Sequence, residues 1–212
     1  MCIRDSPISL FGPGTGLGAA LLVPTDSYSY KVIATEGGHA GLSARSEDEL
    51  SIFEYWRDKG CRINREFFIC GSGIERIHEA LCFSAGITAR KSLTAATIQQ
   101  LGCNGNDEVC AKTMNIFCSF LGSAAGDQVL CTGSTGGLIL AGGILPKFPE
   151  FLKQSNFRKR FESKGAMSSY NRAIKTSLII EPNPGLIGAA AYLDTVSLSL
   201  IHISEPTRPG HI

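Results

Sequence analysis

A heptapeptide that contains four glycines, GPGTGLG at Gly12–Gly18, separates two short apolar runs near the start of the chain. The first run is Pro7–Phe11, and the second is Ala19–Val23, which Pro24 ends. Apolar runs on either side of a glycine turn predict two strands joined by a hairpin. The glycines also let consecutive backbone N–H groups point into one concavity, a geometry that holds phosphate oxygens. On this motif alone, a phosphate cradle and an ordinary glycine-rich hairpin are equally supported.

The same residues fit a dinucleotide-binding fingerprint, because Gly14–Ala19 reads GTGLGA and matches GxGxxA. That fingerprint requires a long helix directly after the loop, with the helix N-terminus at the pyrophosphate. Pro24 comes too soon for such a helix. A nicotinamide-dependent dehydrogenase therefore ranks low among the functions that this turn supports.

Strand and helix patterns alternate along the rest of the chain and predict one α/β domain. Hydrophobic residues make up 43% of the sequence and charged residues 18%, which is enough apolar material for a packed core. Short apolar runs predict further strands at Lys31–Ala34, Phe67–Cys70, Leu138–Ala141 and Ser177–Ile180. Capping signals and 3.6-residue periodicity predict helices that begin near Ser46, Gly71, Thr94, Asp107, Phe148 and Pro184.

Charge and hydropathy argue against two classes of partner. Lys and Arg number 20 against 19 Asp and Glu, so no basic excess is present to hold a nucleic-acid backbone. The longest uncharged apolar stretch, Gly136–Leu145, is too short to cross a bilayer, and no signal peptide is recognisable. The eight cysteines form no CxxC pair, which favours buried free thiols in a reducing cytosol over a zinc site or disulfides.

Three segments carry further candidate binding residues. Glu36–His39 reads EGGH and places a carboxylate and an imidazole across two glycines, which suits the donors and acceptors of sugar hydroxyls. Taken alone, a turn in which His39 bonds the backbone explains this tetrapeptide better. Glu66 alone is typical of a solvated strand end, and His78, among charged neighbours, is predicted to lie on the surface.

A double glycine ends the run GGLILAGGILPK at Gly136–Lys147. The apolar part predicts a buried strand, and nucleotides commonly bind where such strands end in open α/β sheets. A tight structural turn explains the double glycine nearly as well.

The two ends of the chain are inverted copies of each other at the DNA level. Met1–Ser6 reads MCIRDS and back-translates to ATG TGT ATA AGA GAC AG, whose reverse complement encodes LSLIHI, the sequence of Leu198–Ile203. The string resembles the transposon end used in sequencing-library preparation. We therefore expect residues 1–6 and 198–212 to be translated adapter. We expect residues 7–197 to be the native part of a gene that continued beyond both ends.

In order along the chain, GPGTGLG, EGGH, the Glu66 run ending in CGSG, GGLILAGGILPKF and NPGLIGAAAY resemble the bacterial-type glucokinase family. The match runs through essentially all of 7–197, and its ordered spacing is far more specific than any single motif. The resemblance implies the actin-like, ribonuclease-H-like fold of the hexokinases, with two lobes around an ATP and glucose cleft. This chain would supply the large lobe only.

The resemblance also implies an activity and the residues that serve it. The reaction is in-line transfer of the ATP γ-phosphoryl group to the 6-hydroxyl of glucose, assisted by Mg²⁺. The full-length protein would be a cytoplasmic homodimer with no nucleic-acid or membrane partner. Glu36, His39 and Glu66 match the family's glucose-hydroxyl ligands. The matching phosphate and adenosine loops contain Gly12, Gly14, Thr15, Gly16, Gly142 and Gly143.

Two motifs of related proteins are missing from the sequence. The family's first phosphate loop, of DxGGT type, and the Asn-Asp pair that contains the catalytic base should precede this segment, and neither lies ahead of Gly12. We therefore expect no catalytic residue on this chain and an inactive polypeptide. The CxCGxxGC run of the zinc-containing repressor and kinase group is also absent, which favours a zinc-free glucokinase over a sugar-sensing regulator on the same fold.

Overall fold

The computed structural model describes residues 6–25, 30–87 and 93–200. Its strands are β1 (Ile8–Pro13), β2 (Leu17–Pro24), β3 (Tyr30–Thr35), β4 (Gly137–Leu140) and β5 (Thr176–Leu178). Its helices are α1 (Glu47–Asp58), α2 (Arg65–Phe68), α3 (Gly71–Ser84), α4 (Ala95–Cys103), α5 (Glu108–Thr132), α6 (Pro149–Gln154), α7 (Phe157–Glu162), α8 (Ser168–Ala173) and α9 (Pro184–Leu200).

The strands form one mixed sheet in the order β3-β2-β1-β4-β5. β1, β2 and β3 are antiparallel neighbours, whereas β4 lies parallel to β1 and β5 lies parallel to β4. Pro13 pairs with Leu17, so Gly14–Gly16 form a three-residue turn and confirm the predicted hairpin. Because a strand and not a helix follows this turn, the segment does not have the strand–loop–helix form of a dinucleotide fingerprint.

Polar N-caps begin three helices where the sequence predicts them. Ser46, Thr94 and Asp107 accept hydrogen bonds from the backbone amides three residues later and so satisfy one otherwise unpaired N–H group each. Asn64 does the same for α2 and accepts from the amide of Phe67 at 2.8 Å. These caps fix where α1, α4, α5 and α2 start.

The 25-residue helix α5 provides the centre of the core. It packs against α3, α4 and α7 and contacts β1 and β4. Phe117, Phe120 and Leu121 of α5 are fully buried, and the Phe120 ring stacks on Phe68 of α2 at a centroid distance of 5.2 Å. Gly122 explains the close approach of α7, because a Cβ there would lie 2.2 Å from a carbonyl oxygen of that helix.

Two predictions about α2 and α3 are wrong. Phe67–Cys70 is not a strand, since α2 covers Arg65–Phe68. A four-residue run is too short for its hydrophobic periodicity to distinguish a strand from a helix. The Asn64 side chain caps the segment and so stabilises the helix. His78 is buried rather than exposed, because it lies one turn from Ile74 and Cys82 on the inner face of α3.

A second compact unit begins at Ile180 and contains α9. α9 has the predicted start at Pro184. No helix within the described ranges has the length and apolarity to cross a membrane. The described cysteines are free thiols, and four of them, Cys70, Cys82, Cys110 and Cys118, are buried.

Candidate active site

The glycine turn between β1 and β2 is held from two sides. Within it, the amide of Gly14 donates to the carbonyl of Gly16 at 2.8 Å. From outside, the first amide of α3, at Gly71, donates to the Gly14 carbonyl at 2.9 Å. Thr15 is exposed at the tip. The turn and the N-terminus of α3 are therefore hydrogen-bonded to each other, with Thr15 exposed at the edge that they form.

Glu66 lies directly beneath this turn. Its Oε2 accepts a hydrogen bond from the amide of Leu17 at 2.8 Å. The contact requires glycine at position 16, since a Cβ there would lie 2.5 Å from the same oxygen. One carboxylate oxygen thus fixes the turn, and the half-buried carboxylate retains further acceptor capacity.

The EGGH segment packs on the same hairpin. Gly37–His39 form a single 3₁₀ turn after β3, and Gly38 is buried against β2. A Cβ on Gly38 would lie 2.4 Å from the carbonyl oxygen of Leu17, so only glycine permits this approach. Nε2 of His39 lies 3.9 Å from Oε2 of Glu36, and the two side chains are 57% and 92% exposed. An imidazole and a carboxylate therefore face solvent together.

The N-terminus of α2 joins this turn to Glu66. The side-chain Nδ2 of Asn64 lies 3.2 Å from Nδ1 of His39, and the amide of Arg65 donates to the Ala40 carbonyl at 2.9 Å. Glu66 is the next residue along α2. The structure therefore brings Glu36, His39 and Glu66 to one region beside the glycine turn.

Arg65 anchors this region to the core. Its guanidinium donates to the carbonyl of Gly37 at 3.2 Å and to Oε1 of Gln128 on α5 at 3.0 Å. Burial lowers the pKa of Arg65, because desolvation penalises the charged form. The cation persists because an arginine keeps its proton near neutral pH even after such a shift. Arg65 thus ties the EGGH turn, α2 and α5 together.

The double glycine lies on the other side of the β1–β2 turn. The Ala141 amide donates to the Phe11 carbonyl at 2.8 Å, which continues the β1–β4 pairing one residue beyond the end of β4. Gly142 has φ of +84°, a backbone conformation that favours glycine. A Cβ there would also lie 2.3 Å from the Pro13 carbonyl oxygen, so the position requires glycine for two separate reasons. Gly12 lies against Gly142.

A cavity of about 570 Å³ opens between these two glycine turns. Gly14 and Thr15 line one side, Gly143 and Lys147 line another, and the N-termini of α3 and α4 complete it. Gly12, Gly16 and Gly142 belong to the same two turns but do not line the cavity. Its size lies within the range of small-molecule sites. The N-terminus of α3 and the Lys147 side chain favour anionic groups, whereas the first amide of α4, at Ala95, already donates to the Glu75 carboxylate at 2.8 Å.

Two residues that organise the site, Asn64 and Arg65, are not among those that the sequence motifs single out. Arg65 has no sequence signal for this role, because a charged residue between two polar neighbours predicts an exposed side chain. Asn64 has one: an Asn two residues before a Glu is a helix N-cap pattern with an acidic first turn. No group of three or more His, Cys, Asp or Glu side chains in the parts of the chain that the structure describes is arranged to hold a metal ion.

Comparison with solved structures defines the class of this fold. A glucokinase from an Antarctic psychrotroph superposes with a TM-score of 0.82 at 43% identity, over 91% of this chain and 59% of that one. A glucokinase from Balamuthia mandrillaris in complex with glucose superposes with a TM-score of 0.75 at 22% identity, over 86% of this chain and 52% of that one. The chain has the mixed sheet and actin-like ATPase fold of the sugar kinases.

Sequence comparison then identifies the family. The family described as Glucokinase matches residues 2–196. Glucokinase from Chromobacterium violaceum is 40% identical over 189 residues, which are 89% of this chain and 54% of that protein. Glucokinase from Colwellia psychrerythraea is 41% identical over 197 residues, 91% of this chain and 59% of that protein. The chain belongs to the glucokinase family and spans a little over half the length of these relatives.

Proposed function

We propose that the complete protein is an ATP-dependent kinase that phosphorylates the 6-hydroxyl of glucose, and that this chain carries its sugar site and most of its nucleotide site. The observation that supports this most is the hydrogen bond from the Leu17 amide to Glu66. It couples a candidate sugar ligand to the turn that borders the 570 Å³ cavity. A kinase needs this adjacency, because the hydroxyl and the γ-phosphate must meet in line.

On the sugar side, Glu36, His39 and Glu66 orient the hexose. Carboxylates accept hydrogen bonds from sugar hydroxyls, and an imidazole N–H donates to a hydroxyl oxygen. The exposure of Glu36 and His39 leaves their polar atoms available to a ligand. The Leu17 amide holds the Glu66 carboxylate and Asn64 contacts the His39 ring, so these two groups are positioned before the sugar arrives. Arg65 fixes the backbone of the turn at Gly37, next to Glu36.

On the nucleotide side, the two glycine turns bracket the cavity. The backbone at Gly14–Gly16 and the N-terminus of α3 favour phosphate oxygens, and the segment at Gly142 and Gly143 receives the adenosine. A glucokinase of Streptomyces griseus, 16% identical, has a structure in complex with glucose and AMPPNP. Mg²⁺ would assist the transfer, as the resemblance to glucokinases implies, and no group of three or more His, Cys, Asp or Glu side chains among the described residues is arranged to hold it.

The general base for the sugar hydroxyl is not among these residues. The sequence contains no DxGGT loop, and its one Asn-Asp pair, Asn106-Asp107, follows the glycine turn, with Asp107 as the N-cap of α5. Loss of a general base typically lowers a rate by about 10²–10⁴-fold. Loss of half the phosphate cradle as well removes the remaining positioning. We therefore propose that the 212-residue polypeptide binds ligands but does not turn over.

We further propose that the complete protein is a cytoplasmic homodimer, as the resemblance implies, and that residues 7–197 are the native part of this chain. The sugar-sensing regulator is the weaker alternative, because the relatives that match at 40% identity or more are glucokinases by name.

Two measurements test the proposal. Titration of the 212-residue chain with glucose by calorimetry should show saturable binding that Glu66→Gln weakens and Glu54→Gln, an exposed carboxylate on α1, leaves unchanged. A coupled hexokinase assay should show turnover for the complete gene product and none for this chain. Ordinary turnover by the chain would refute its inactivity, and a complete protein that phosphorylates no hexose would refute the function.

A further inference from the structure

The amide side chain of Asn64 is engaged at both of its polar atoms. Its Oδ1 caps α2 by accepting from the Phe67 amide at 2.8 Å. Its Nδ2 points at Nδ1 of His39 at 3.2 Å. The backbone N–H of Phe67 can only donate, so the atom that faces it must be the oxygen. The helix cap therefore fixes the orientation of the Asn64 amide.

A fixed amide determines where His39 carries its proton. The Nδ2 group of Asn64 is only a donor, so Nδ1 of a neutral His39 must be the acceptor. The ring proton then lies on Nε2. Nε2 is also the nitrogen near Oε2 of Glu36, at 3.9 Å on the exposed side of the turn. A donor and an acceptor thus lie side by side toward solvent.

We propose that Asn64 is a positioning residue that holds His39 in the Nε2–H tautomer, so that His39 and Glu36 together recognise a hydroxyl group that accepts from one and donates to the other. This inference rests on the proposed hexose site. It deepens that proposal by naming a specificity-determining contact. A sugar position that carries no hydroxyl would lose both hydrogen bonds, and a group that can only accept or only donate would lose one.

Two variants of Asn64 separate this role from helix capping. Aspartate and serine are both good N-caps, so Asn64→Asp and Asn64→Ser keep the bond to the Phe67 amide. Aspartate presents only acceptors and would draw the neutral His39 proton onto Nδ1. Serine is too short to reach the ring and leaves the tautomer to the intrinsic preference of imidazole, which is also Nε2–H. The aspartate variant therefore carries the test, and the serine variant is its matched control.

Long-range ¹H–¹⁵N spectra of the 212-residue chain at about pH 9, where imidazole is neutral, report the tautomer directly. His39 should show only a protonated Nε2 in the wild type, exchange between both tautomers with Nε2–H in the majority in Asn64→Ser, and a protonated Nδ1 in Asn64→Asp. Ring nitrogen shifts of either variant that match the wild type would overturn the proposal.

Glucose titrations of the same samples test the consequence. The affinity of Asn64→Asp should fall by about tenfold, because one hydrogen bond to the sugar is lost, while Asn64→Ser remains within about twofold of the wild type. Equal affinity in Asn64→Asp despite a switched tautomer would overturn the role of Nε2–H. A wild-type chain that binds no glucose would refute the proposed hexose site, and the nitrogen shifts would still decide whether Asn64 sets the tautomer.

Discussion

Two pairs of a carboxylate and a basic side chain show opposite designs in this protein. Glu49 of α1 and Arg160 of α7 form a bidentate ion pair with distances of 2.8 and 3.0 Å, and their side chains are only 2% and 14% exposed. The Arg45 amide and the Ser123 hydroxyl complete their hydrogen bonds. Glu36 and His39 lie 3.9 Å apart, and both are largely exposed.

The difference separates structural from ligand-binding polar groups. A buried charge must be paired and fully hydrogen-bonded, and the Glu49 carboxylate accepts hydrogen bonds from the Arg160 guanidinium and the Arg45 amide. The His39 ring is instead held by Asn64, while the Glu36 side chain is almost fully exposed, and both leave polar atoms toward solvent. Changes to the first pair should alter folding, and changes to the second pair should alter binding.

The largest expected effect is on the buried pair. Arg160→Ala leaves the Glu49 carboxylate buried without its partner and should lower the free energy of unfolding by about 3–5 kcal/mol. Urea denaturation followed by circular dichroism measures this loss. Glu36→Gln is the control and should change stability by less than about 0.5 kcal/mol. Equal losses in both variants would remove the distinction between the pairs.

A change to the exposed pair should alter glucose binding and leave stability almost unchanged. Glu36→Gln removes a charged acceptor and should weaken glucose binding by about tenfold to a hundredfold, since a hydrogen bond to a charged group contributes about 1.5–3 kcal/mol. Calorimetry checks the affinity. An unchanged dissociation constant would show that Glu36 does not touch the sugar.

Packing of the EGGH turn against β2 should couple stability and binding. Gly38→Ala places a methyl group 2.4 Å from the Leu17 carbonyl oxygen, so the turn must shift, at a cost of about 1–3 kcal/mol. Glucose affinity should fall as well, because Glu36 and His39 move with the turn. Gly41→Ala is the matched control, since a Cβ there meets nothing within 4 Å. Identical behaviour of the two variants in thermal melts and titrations would contradict the tight fit.

The smallest expected effect concerns a cap far from the sugar. Ser46→Ala removes the side-chain acceptor for the Glu49 amide and should destabilise the protein by about 1 kcal/mol without altering glucose affinity. Ser51→Ala lies within the same helix and should be neutral or slightly stabilising, because alanine is the better interior residue. Denaturation midpoints compare the two, and a destabilised Ser51→Ala with an unaffected Ser46→Ala would reverse the expectation.

Local signals in the sequence predict much of the fold. The glycine hairpin, the Ser46, Thr94 and Asp107 caps and the long period of α5 are all encoded within a few turns of chain. The four-residue run at Phe67–Cys70 is too short to distinguish strand from helix by period. The charged sequence neighbours of His78 predict a surface position for it. Its spacing of four residues from Ile74 instead places both side chains on the same face of α3, and that face is buried.

The site is less visible in the sequence, because it is made of contacts across long separations. The bond from Leu17 to Glu66 spans 49 positions, and that from Arg65 to Gln128 spans 63. Motifs identify the segments but not which atoms meet. The resemblance to glucokinases points to Glu36, His39 and Glu66 as sugar ligands. Only the structure shows that Asn64 contacts His39 and that Arg65 fixes the turn at Gly37.

The most direct test of the central claim, that the sugar ligands adjoin the nucleotide turn, is a two-ligand titration followed by ¹H–¹⁵N amide spectra of the 212-residue chain. Glucose should shift the amides of Leu17 and His39, and a non-hydrolysable ATP analogue should shift those of Thr15 and Gly143. Glu66→Gln should suppress the glucose-induced shift at Leu17. Glucose shifts confined to residues remote from the β1–β2 turn, or no shifts at saturating sugar, would contradict the account.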